Sequence, residues 1–170
     1  MTDSGALEIL GVEENHRRAE FDCGEETLNG YLRRYARQNH ERNVARTFVA
    51  VDKHNRVLGY YSLASASIEF DSLPAAYAKR VPKYPVPAAR TARLAVDRSV
   101  KGEGLGGNLL ADALQRILTA SSAVAVKVVL VDAKSEAAIE LYRHYGFMGL
   151  VDAPMTLFLP IKTVIKAAKS

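Results

Sequence analysis

Alternating stretches of apolar and polar residues divide the first half of the chain into a helix, a hairpin and a loop. Within Glu25–Asn43, apolar residues recur at helical spacing and the arginines lie mostly on the other side, which predicts an amphipathic helix with a basic outer face. Arg46–Asp52 and Val57–Phe70 have the composition of strands, and the short polar connection between them predicts a hairpin. The proline-rich segment Leu73–Pro87 is predicted to be an ordered loop without regular structure, and long loops of this kind are often binding elements.

The second half of the chain begins with a change in the period of the apolar residues. Arg90–Asp97 is predicted to be a strand, and the glycine-rich segment Lys101–Gly107 follows it. The apolar residues from Leu105 to Leu118 then recur at helical spacing. Val124–Val131 is an almost continuous apolar run, typical of a strand covered on both faces, so we expect it in the middle of a sheet.

The last elements are marked by their boundary residues. A helix is predicted over Ser135–Tyr145, with Ser135 as its N-cap and Gly146 ending it. Met155–Ile161 is predicted to be a final strand.

Length and composition restrict the class of protein. The chain has 170 residues, so we expect one domain over residues 1–170, since domains typically have about 100–200 residues. No apolar run approaches the roughly 18 residues of a membrane span, and the N-terminus carries Asp3 and Glu8 instead of a basic and then apolar leader, so we expect a cytoplasmic protein. A single cysteine, Cys23, and scattered histidines exclude a disulfide scaffold and a zinc-finger type of site, and we expect no metal.

Positive charge is concentrated in two stretches. Residues 33–46 hold five arginines against one glutamate, and residues 79–101 hold seven basic residues against one aspartate. Because the whole chain carries only +4, the rest of it is net negative. This asymmetry indicates a basic face that meets a polyanion, although a solvated helix face plus a site for one phosphorylated cofactor would explain it as well.

The glycine-rich segment is the strongest chemical signal in the sequence. It lies between a predicted strand and a predicted helix, where backbone N–H groups converge on a phosphate, and a pyrophosphate is the expected ligand. Gly102, Gly104 and Gly107 also satisfy the dinucleotide-binding pattern, with Asp132 as a candidate ribose ligand. Five residues separate the strand from the first glycine, however, and a hairpin precedes it, so the topology disfavours a dinucleotide fold. A flexible loop without a ligand is the remaining alternative.

These elements and two motifs resemble the GNAT superfamily of acetyl-CoA-dependent N-acetyltransferases. The loop Lys101-Gly102-Glu103-Gly104-Leu105-Gly106 resembles the family pattern Gln/Arg-x-x-Gly-x-Gly/Ala, with lysine at the first position. The later helix resembles Asn-x-x-Ala-x-x-x-Tyr followed by Gly-Phe, with Ser135 at the asparagine position and Tyr142 at the tyrosine. The resemblance covers nearly the whole chain and implies an α/β (α+β) fold in which a mixed central sheet is flanked by helices and splayed strands hold acetyl-CoA.

Further motifs resemble the toxin branch of this superfamily. They are Phe21-Asp22-Cys23-Gly24 and the basic helix after it, Arg46-Thr47-Phe48-Val49, Gly59-Tyr60-Tyr61-Ser62-Leu63 and Arg93-Leu94-Ala95-Val96-Asp97. This resemblance implies a toxin that acetylates the α-amino group of aminoacyl-tRNA, blocks translation and is held inactive by a ribbon-helix-helix antitoxin. A homodimer is left open.

The resemblance also implies roles for individual residues. The backbone of the strand over Leu94, Ala95 and Val96 would pair with pantetheine as an added strand does. The remaining expected cofactor residues are Lys101, Gly102, Glu103, Gly104, Leu105, Gly106, Gly107, Ser135 and Tyr142.

Tyr142 is the expected catalytic acid for the leaving thiolate, whereas Tyr145 is expected to pack against the sheet. Cys23 has no evident partners for covalent catalysis, so direct transfer is preferred. The expected tRNA contacts are Arg34, Arg37, Arg90 and Arg93, although Arg93 could equally bind a cofactor phosphate or pack against the sheet.

Two other functions remain open. A GNAT enzyme acting on a small amine, a polyamine or a protein N-terminus would explain the loop and Tyr142 but not the two basic stretches. A nonenzymatic module that binds coenzyme A or nucleic acid would leave Tyr142 without a role.

Overall fold

Within residues 7–169, seven strands of one mixed sheet and six α-helices make up the fold. The computed structural model describes residues 7–169, so Asp3, on which part of the leader argument rests, lies outside the described residues. The elements in chain order are β1 (Glu8–Gly11), α1 (Glu26–Arg34), α2 (Ala36–Glu41), β2 (Arg46–Val51), β3 (Val57–Ile68), α3 (Ala75–Ala78), β4 (Val86–Val96), α4 (Leu105–Ala120), β5 (Val128–Asp132), α5 (Glu136–His144), β6 (Met148–Gly149), β7 (Thr156–Pro160) and α6 (Ile161–Ala168).

The sheet order is β1-β2-β3-β4-β5-β7-β6. The predicted hairpin is confirmed, because β2 and β3 pair antiparallel. β4 and β5 pair in parallel, whereas β7 is antiparallel to both β5 and β6. β5 has a partner on each side and its residues Val128 to Val131 are fully buried, as expected for the apolar run in the middle of the sheet.

Contacts divide the described residues into two compact units, each discontinuous in sequence. The first unit comprises residues 7–64 and Arg93–Ala113, and the second comprises Ser65–Ala92 and residues 114–169. The expectation of one domain over residues 1–170 stays a prediction.

Two apolar clusters form the core of the first unit, and β4 contributes to both. Ala95 is buried in one cluster with Tyr31 and Tyr60, whereas the neighbouring Leu94 and Val96 pack against the other. This alternation is the period of two that a strand imposes on its side chains.

Gly59 on β3 permits close packing in the first unit. A Cβ at this position would lie 2.9 Å from Cδ1 of Leu109 and 3.3 Å from the carbonyl oxygen of Ala95. Glycine therefore lets the first turns of α4 lie close to the sheet.

The structure corrects several predicted boundaries. The predicted helix Glu25–Asn43 is two helices, because the backbone at Tyr35 (φ −120°, ψ −26°) leaves the helical path. The predicted loop Leu73–Pro87 contains α3, and β4 begins within it at Val86. The apolar run Val124–Val131 enters its strand only at Val128.

Besides α3, the elements of residues 7–169 that were not predicted are β1, β6 and α6. Of these, α6 carries a helical signal, since Ile161 and Val164 are buried three residues apart. The two strands are too short for a pattern to develop. Among the described residues, no helix is long and apolar enough to cross a membrane.

Candidate active site

The C-terminal end of β4 extends beyond its pairing with β5. The register between the two strands runs from Ala88↔Val128 to Thr91↔Val131, and β5 ends one residue later. β4 continues to Val96. The segment expected to bind pantetheine, Leu94 to Val96, therefore lies past the last residues of β4 that pair with β5.

The glycine loop follows β4 after one 3₁₀ turn and offers open space above its backbone. Gly102 and Gly104 have positive φ angles of 83° and 86°, a conformation that side chains other than glycine rarely adopt. Among residues 7–169, no atom lies within 4 Å of the position that a Cβ would take on either glycine. Neither glycine is therefore required by packing, and the free space fits an anion that must approach the backbone.

The first turn of α4 completes this cradle. α4 begins at Leu105, so Gly106 and Gly107 lie in its first turn, where N–H groups lack intrahelical partners. The Leu105 side chain is buried among the apolar residues of the first unit, so only its backbone can contribute to binding. Glu103 is exposed and would likewise contribute through its backbone, since its carboxylate would repel a phosphate.

Asp97 anchors the turn between β4 and the glycine loop. Its side chain is only 3% exposed and accepts hydrogen bonds from the backbone N–H of Asp22 (2.9 Å) and from the N–H and hydroxyl of Ser99 (3.0 and 2.6 Å). Burial raises the pKa of Asp97, but these hydrogen bonds outweigh it and the net shift is downward. Sequence reasoning missed this role, although an aspartate two residues before a serine at a strand end is a signal for such a turn.

Lys101 also ties the loop to the segment around Cys23. Its ammonium group donates to the carbonyl oxygen of Cys23 at 3.0 Å. Arg98 pairs with Asp22 at 3.6 Å on the surface. The Cys23 thiol is buried, and burial raises its pKa, so it is poorly suited to act as a nucleophile.

Tyr142 lies on α5 in the second unit. Its side chain is 3% exposed, and its ring packs against Phe147 with 5.7 Å between centroids. Burial, with the charge of Asp132 as a smaller cause, raises the pKa of Tyr142 to about 12. The hydroxyl is protonated at neutral pH, as any tyrosine with a pKa of about 10 or above is.

Both ends of α5 agree with the prediction from the sequence, but the exposure of Tyr145 does not. The hydroxyl of Ser135 accepts from the N–H of Ala138 at 3.1 Å, which confirms the N-cap. Gly146 turns the chain with a φ of 96°. The expectation that Tyr145 packs against the sheet is wrong: this residue is the C-cap of α5 and is 42% exposed.

The four arginines predicted to contact tRNA lie in different surroundings. In the first unit, Arg34 is exposed on α1, Arg37 pairs with Glu41 at 2.9 Å, and the guanidinium carbon of Arg93 lies 3.7 Å from the ring centroid of Tyr31. In the second unit, Arg90 makes two hydrogen bonds to Asp132 (2.9 and 3.0 Å). Arg90 is thus already engaged by a carboxylate, whereas Arg34 is the most available to a phosphate.

A cavity of about 400 Å³ lies in the second unit, and its lining differs from that of the glycine cradle. Its lining is mostly apolar and includes Val81, Tyr84, Ile161 and Ile165, with Lys127 as its one charged residue. None of the residues predicted for acetyl transfer lines it, and it has no glycine loop.

The order of elements, the glycine cradle after β4 and the buried tyrosine on α5 are those of an acetyltransferase. The acetyltransferase (GNAT) domain family matches residues 43–148, and the chain belongs to this family.

Individual relatives indicate which kind of acetyltransferase this chain is similar to. A "tRNA-acetylating toxin" of Mycobacterium tuberculosis is 37% identical over 142 residues, which are 84% of each chain. A "probable toxin TacT" of Sinorhizobium fredii is 32% identical over 158 residues, covering 88% of this chain and 87% of the relative. The solved structure of AtaT complexed with acetyl-methionyl-tRNAfMet has a TM-score of 0.89 and 32% identity, and the match covers 96% of this chain and 99% of AtaT. Another structure of AtaT, a tyrosine-to-phenylalanine mutant, is bound to acetyl-CoA and to the C-terminus of the antitoxin AtaR.

Proposed function

We propose that this protein is a toxin that transfers the acetyl group of acetyl-CoA to the α-amino group of aminoacyl-tRNA and thereby blocks translation. The observation that carries the proposal is the match over most of the chain to tRNA-acetylating toxins, together with an intact glycine cradle in this chain. Acetyl-CoA supplies the activated acetyl thioester.

The glycine cradle would hold the pyrophosphate of the cosubstrate. The open space above Gly102 and Gly104 accommodates phosphate oxygens, and the N–H groups of the first turn of α4 would donate to them. The backbone of Leu94 to Val96 would pair with the pantetheine amides. Lys101 would add charge at the edge of the cradle while its contact to Cys23 keeps the loop in place.

The chain needs no strong base for this reaction. A free α-amino group has a pKa of about 8, and the ester bond of aminoacyl-tRNA lowers that pKa, so a substantial fraction of the amine is neutral and nucleophilic at pH 7. As the new C–N bond forms and the C–S bond breaks, the leaving sulfur takes up a proton. We assign Tyr142 as the donor of that proton from its hydroxyl oxygen, and the proton that the amine nitrogen loses as the amide forms restores the hydroxyl.

The basic surface of α1 and α2 would bind the acceptor arm of tRNA. Arg34 and Arg37 lie on these helices, and phosphate contacts of this kind supply affinity without reading sequence. A ribbon-helix-helix antitoxin is the expected inhibitor, and the product of the neighbouring reading frame is the first candidate to test. Homodimerisation can be checked by sedimentation of the purified protein.

The direct test is acetylation of total aminoacylated tRNA by the purified protein with radiolabelled acetyl-CoA. We expect the label on aminoacylated tRNA and stoichiometric release of free thiol. Deacylated tRNA and a polyamine are the controls. Labelling of the polyamine but not of aminoacylated tRNA would instead establish an enzyme for small amines, and no thiol release with either acceptor would reject the proposal.

A further inference from the structure

Tyr35 is turned outward at the point where the two basic helices meet. It follows Tyr31 by four residues, so an unbroken helix would place both on the buried face. The break at Tyr35 instead gives the buried position to Ala36, which is fully buried, and leaves the Tyr35 side chain 53% exposed. A large aromatic ring is thus presented to solvent.

The exposed ring rests on a fixed support. Tyr31, 7% exposed, is in tilted contact with Tyr35 at 6.3 Å between centroids and stacks on Tyr60 at 6.5 Å. The guanidinium of Arg93 covers the Tyr31 ring, and Asn39 donates to the Tyr31 hydroxyl at 3.2 Å. The backbone of Tyr35 is held as well, because its N–H donates to the carbonyl of Tyr31 at 2.9 Å.

Basic residues flank Tyr35 in sequence on its two helices. Arg34 is exposed directly before it, and Arg37 lies two residues after it and pairs with Glu41. An exposed aromatic ring on a surface with arginines suits single-stranded nucleic acid, in which a base stacks on the ring while the cations meet nearby phosphates.

The position of the ring also relates it to the proposed cosubstrate strand. Arg93 directly precedes Leu94 on β4, and its guanidinium touches Tyr31, which in turn touches Tyr35. Two side-chain contacts within the first unit therefore lead from the proposed pantetheine strand to Tyr35.

We propose that Tyr35 is the stacking residue for an unpaired base at the 3′ end of the tRNA acceptor, with Arg34 and Arg37 on the neighbouring phosphates. This inference rests on the proposed function, because it assumes that tRNA is the substrate. The stacking proposal adds a contact to the single-stranded end of the tRNA. Binding of tRNA phosphates to a helical surface does not by itself require that contact.

The test measures RNA binding without acetyl-CoA. The probes are a hairpin RNA with an unpaired CCA tail at its 3′ end and the same hairpin with a blunt end, both followed by fluorescence anisotropy. Stacking on one aromatic side chain is worth about 1–3 kcal/mol per base, so Tyr35→Ala should weaken binding of the tailed hairpin roughly 5- to 150-fold. Binding of the blunt hairpin should not change.

Two further variants separate stacking from support of the fold. Tyr35→Phe keeps the π-face and should bind the tailed hairpin like the wild type, whereas Tyr35→Leu keeps apolar contact with Tyr31 and should bind it like Tyr35→Ala. Tyr84→Ala is the matched control, since Tyr84 is 63% exposed and follows a lysine in the other basic stretch. It should leave binding of both hairpins unchanged.

Several results would overturn the inference. Equal binding of the tailed hairpin by Tyr35→Ala and wild type would reject it, as would equal weakening for both hairpins or full binding by Tyr35→Leu. Loss of binding to an antitoxin with intact RNA binding would assign Tyr35 to a protein partner instead. If the tail-dependent loss occurs but aminoacylated tRNA is never acetylated, the stacking site stands and the proposed function fails.

Discussion

A pair of substitutions at Gly104 isolates the electrostatic part of cosubstrate binding. Gly104→Glu and Gly104→Gln add side chains of nearly the same size, and both must accept the positive φ of 86°. That conformation costs a non-glycine residue about 1–2 kcal/mol of folding free energy. Because no atom lies within 4 Å of the added Cβ, we expect no further clash and the same loss of thermal stability in both variants.

The two variants should differ in their affinity for acetyl-CoA. Both side chains enter the space assigned to the pyrophosphate, so both weaken binding, but only glutamate adds a negative charge. At about 4 Å from a phosphate, that charge costs about 1 kcal/mol if the loop is as well solvated as bulk water and about 4 kcal/mol at an effective dielectric constant of about 20. Gly104→Glu should therefore bind roughly 5- to 1000-fold more weakly than Gly104→Gln at low salt.

Isothermal titration calorimetry measures both affinities, and thermal unfolding checks the fold. The difference between the variants should shrink as salt rises, since the loop is exposed. Equal acetyl-CoA affinity in the two variants, with both folded, would mean that no phosphate lies near Gly104. Wild-type affinity in both would remove the glycine loop from the cosubstrate site altogether.

Three further outcomes are expected. Tyr142→Phe should keep acetyl-CoA affinity and lower kcat about 10²–10⁴-fold in steady-state assays, because only the proton donor is lost; wild-type kcat would exclude Tyr142 as the acid. Replacing Arg34 and Arg37 together by alanine should raise KM for aminoacylated tRNA and flatten its salt dependence, with acetyl-CoA affinity as the unchanged control; an unaltered salt slope would argue against phosphate contacts there. Asp97→Ala leaves the N–H donors of Asp22 and Ser99 without their acceptor and should lower the free energy of unfolding in urea by about 1–3 kcal/mol. The pKa of Asp97 is lower in the folded than in the unfolded state, so its contribution to stability is present above the unfolded pKa and is lost as pH falls through the folded pKa. The free energy of unfolding should therefore fall less steeply with decreasing pH in the variant than in the wild type. An equally steep fall in both would contradict this.

Local chemistry allowed some parts of the fold to be predicted from the sequence. The N-cap Ser135 and the terminator Gly146 act within a few residues of themselves, so both ends of α5 could be located. The single-residue break at Tyr35 could not, because Ala36 takes over the buried position and the apolar spacing hardly changes. Only the three-dimensional structure shows which of the two side chains is turned outward.

In the candidate site, too, some features could be predicted from the sequence and others could not. The positive φ angles of Gly102 and Gly104 follow from residue type alone, since glycine adopts this conformation readily. The contacts of Asp97 with Asp22 and of Lys101 with Cys23 join residues more than seventy positions apart, and no periodic pattern encodes such pairs. The role of Tyr142 came from family resemblance, since a tyrosine on a helix is by itself most often a packing residue.

The discontinuity of the two units has a consequence for synthesis. A unit cannot close until its last segment has left the ribosome. The unit that holds the glycine loop needs Arg93–Ala113 in addition to the N-terminal residues, and the unit that holds Tyr142 extends through β7 and α6. The proposed acid and its surroundings are therefore assembled only after α6 has been translated, later than the glycine loop. A protein that blocks translation would thus acquire its phosphate cradle first and its proposed acid second.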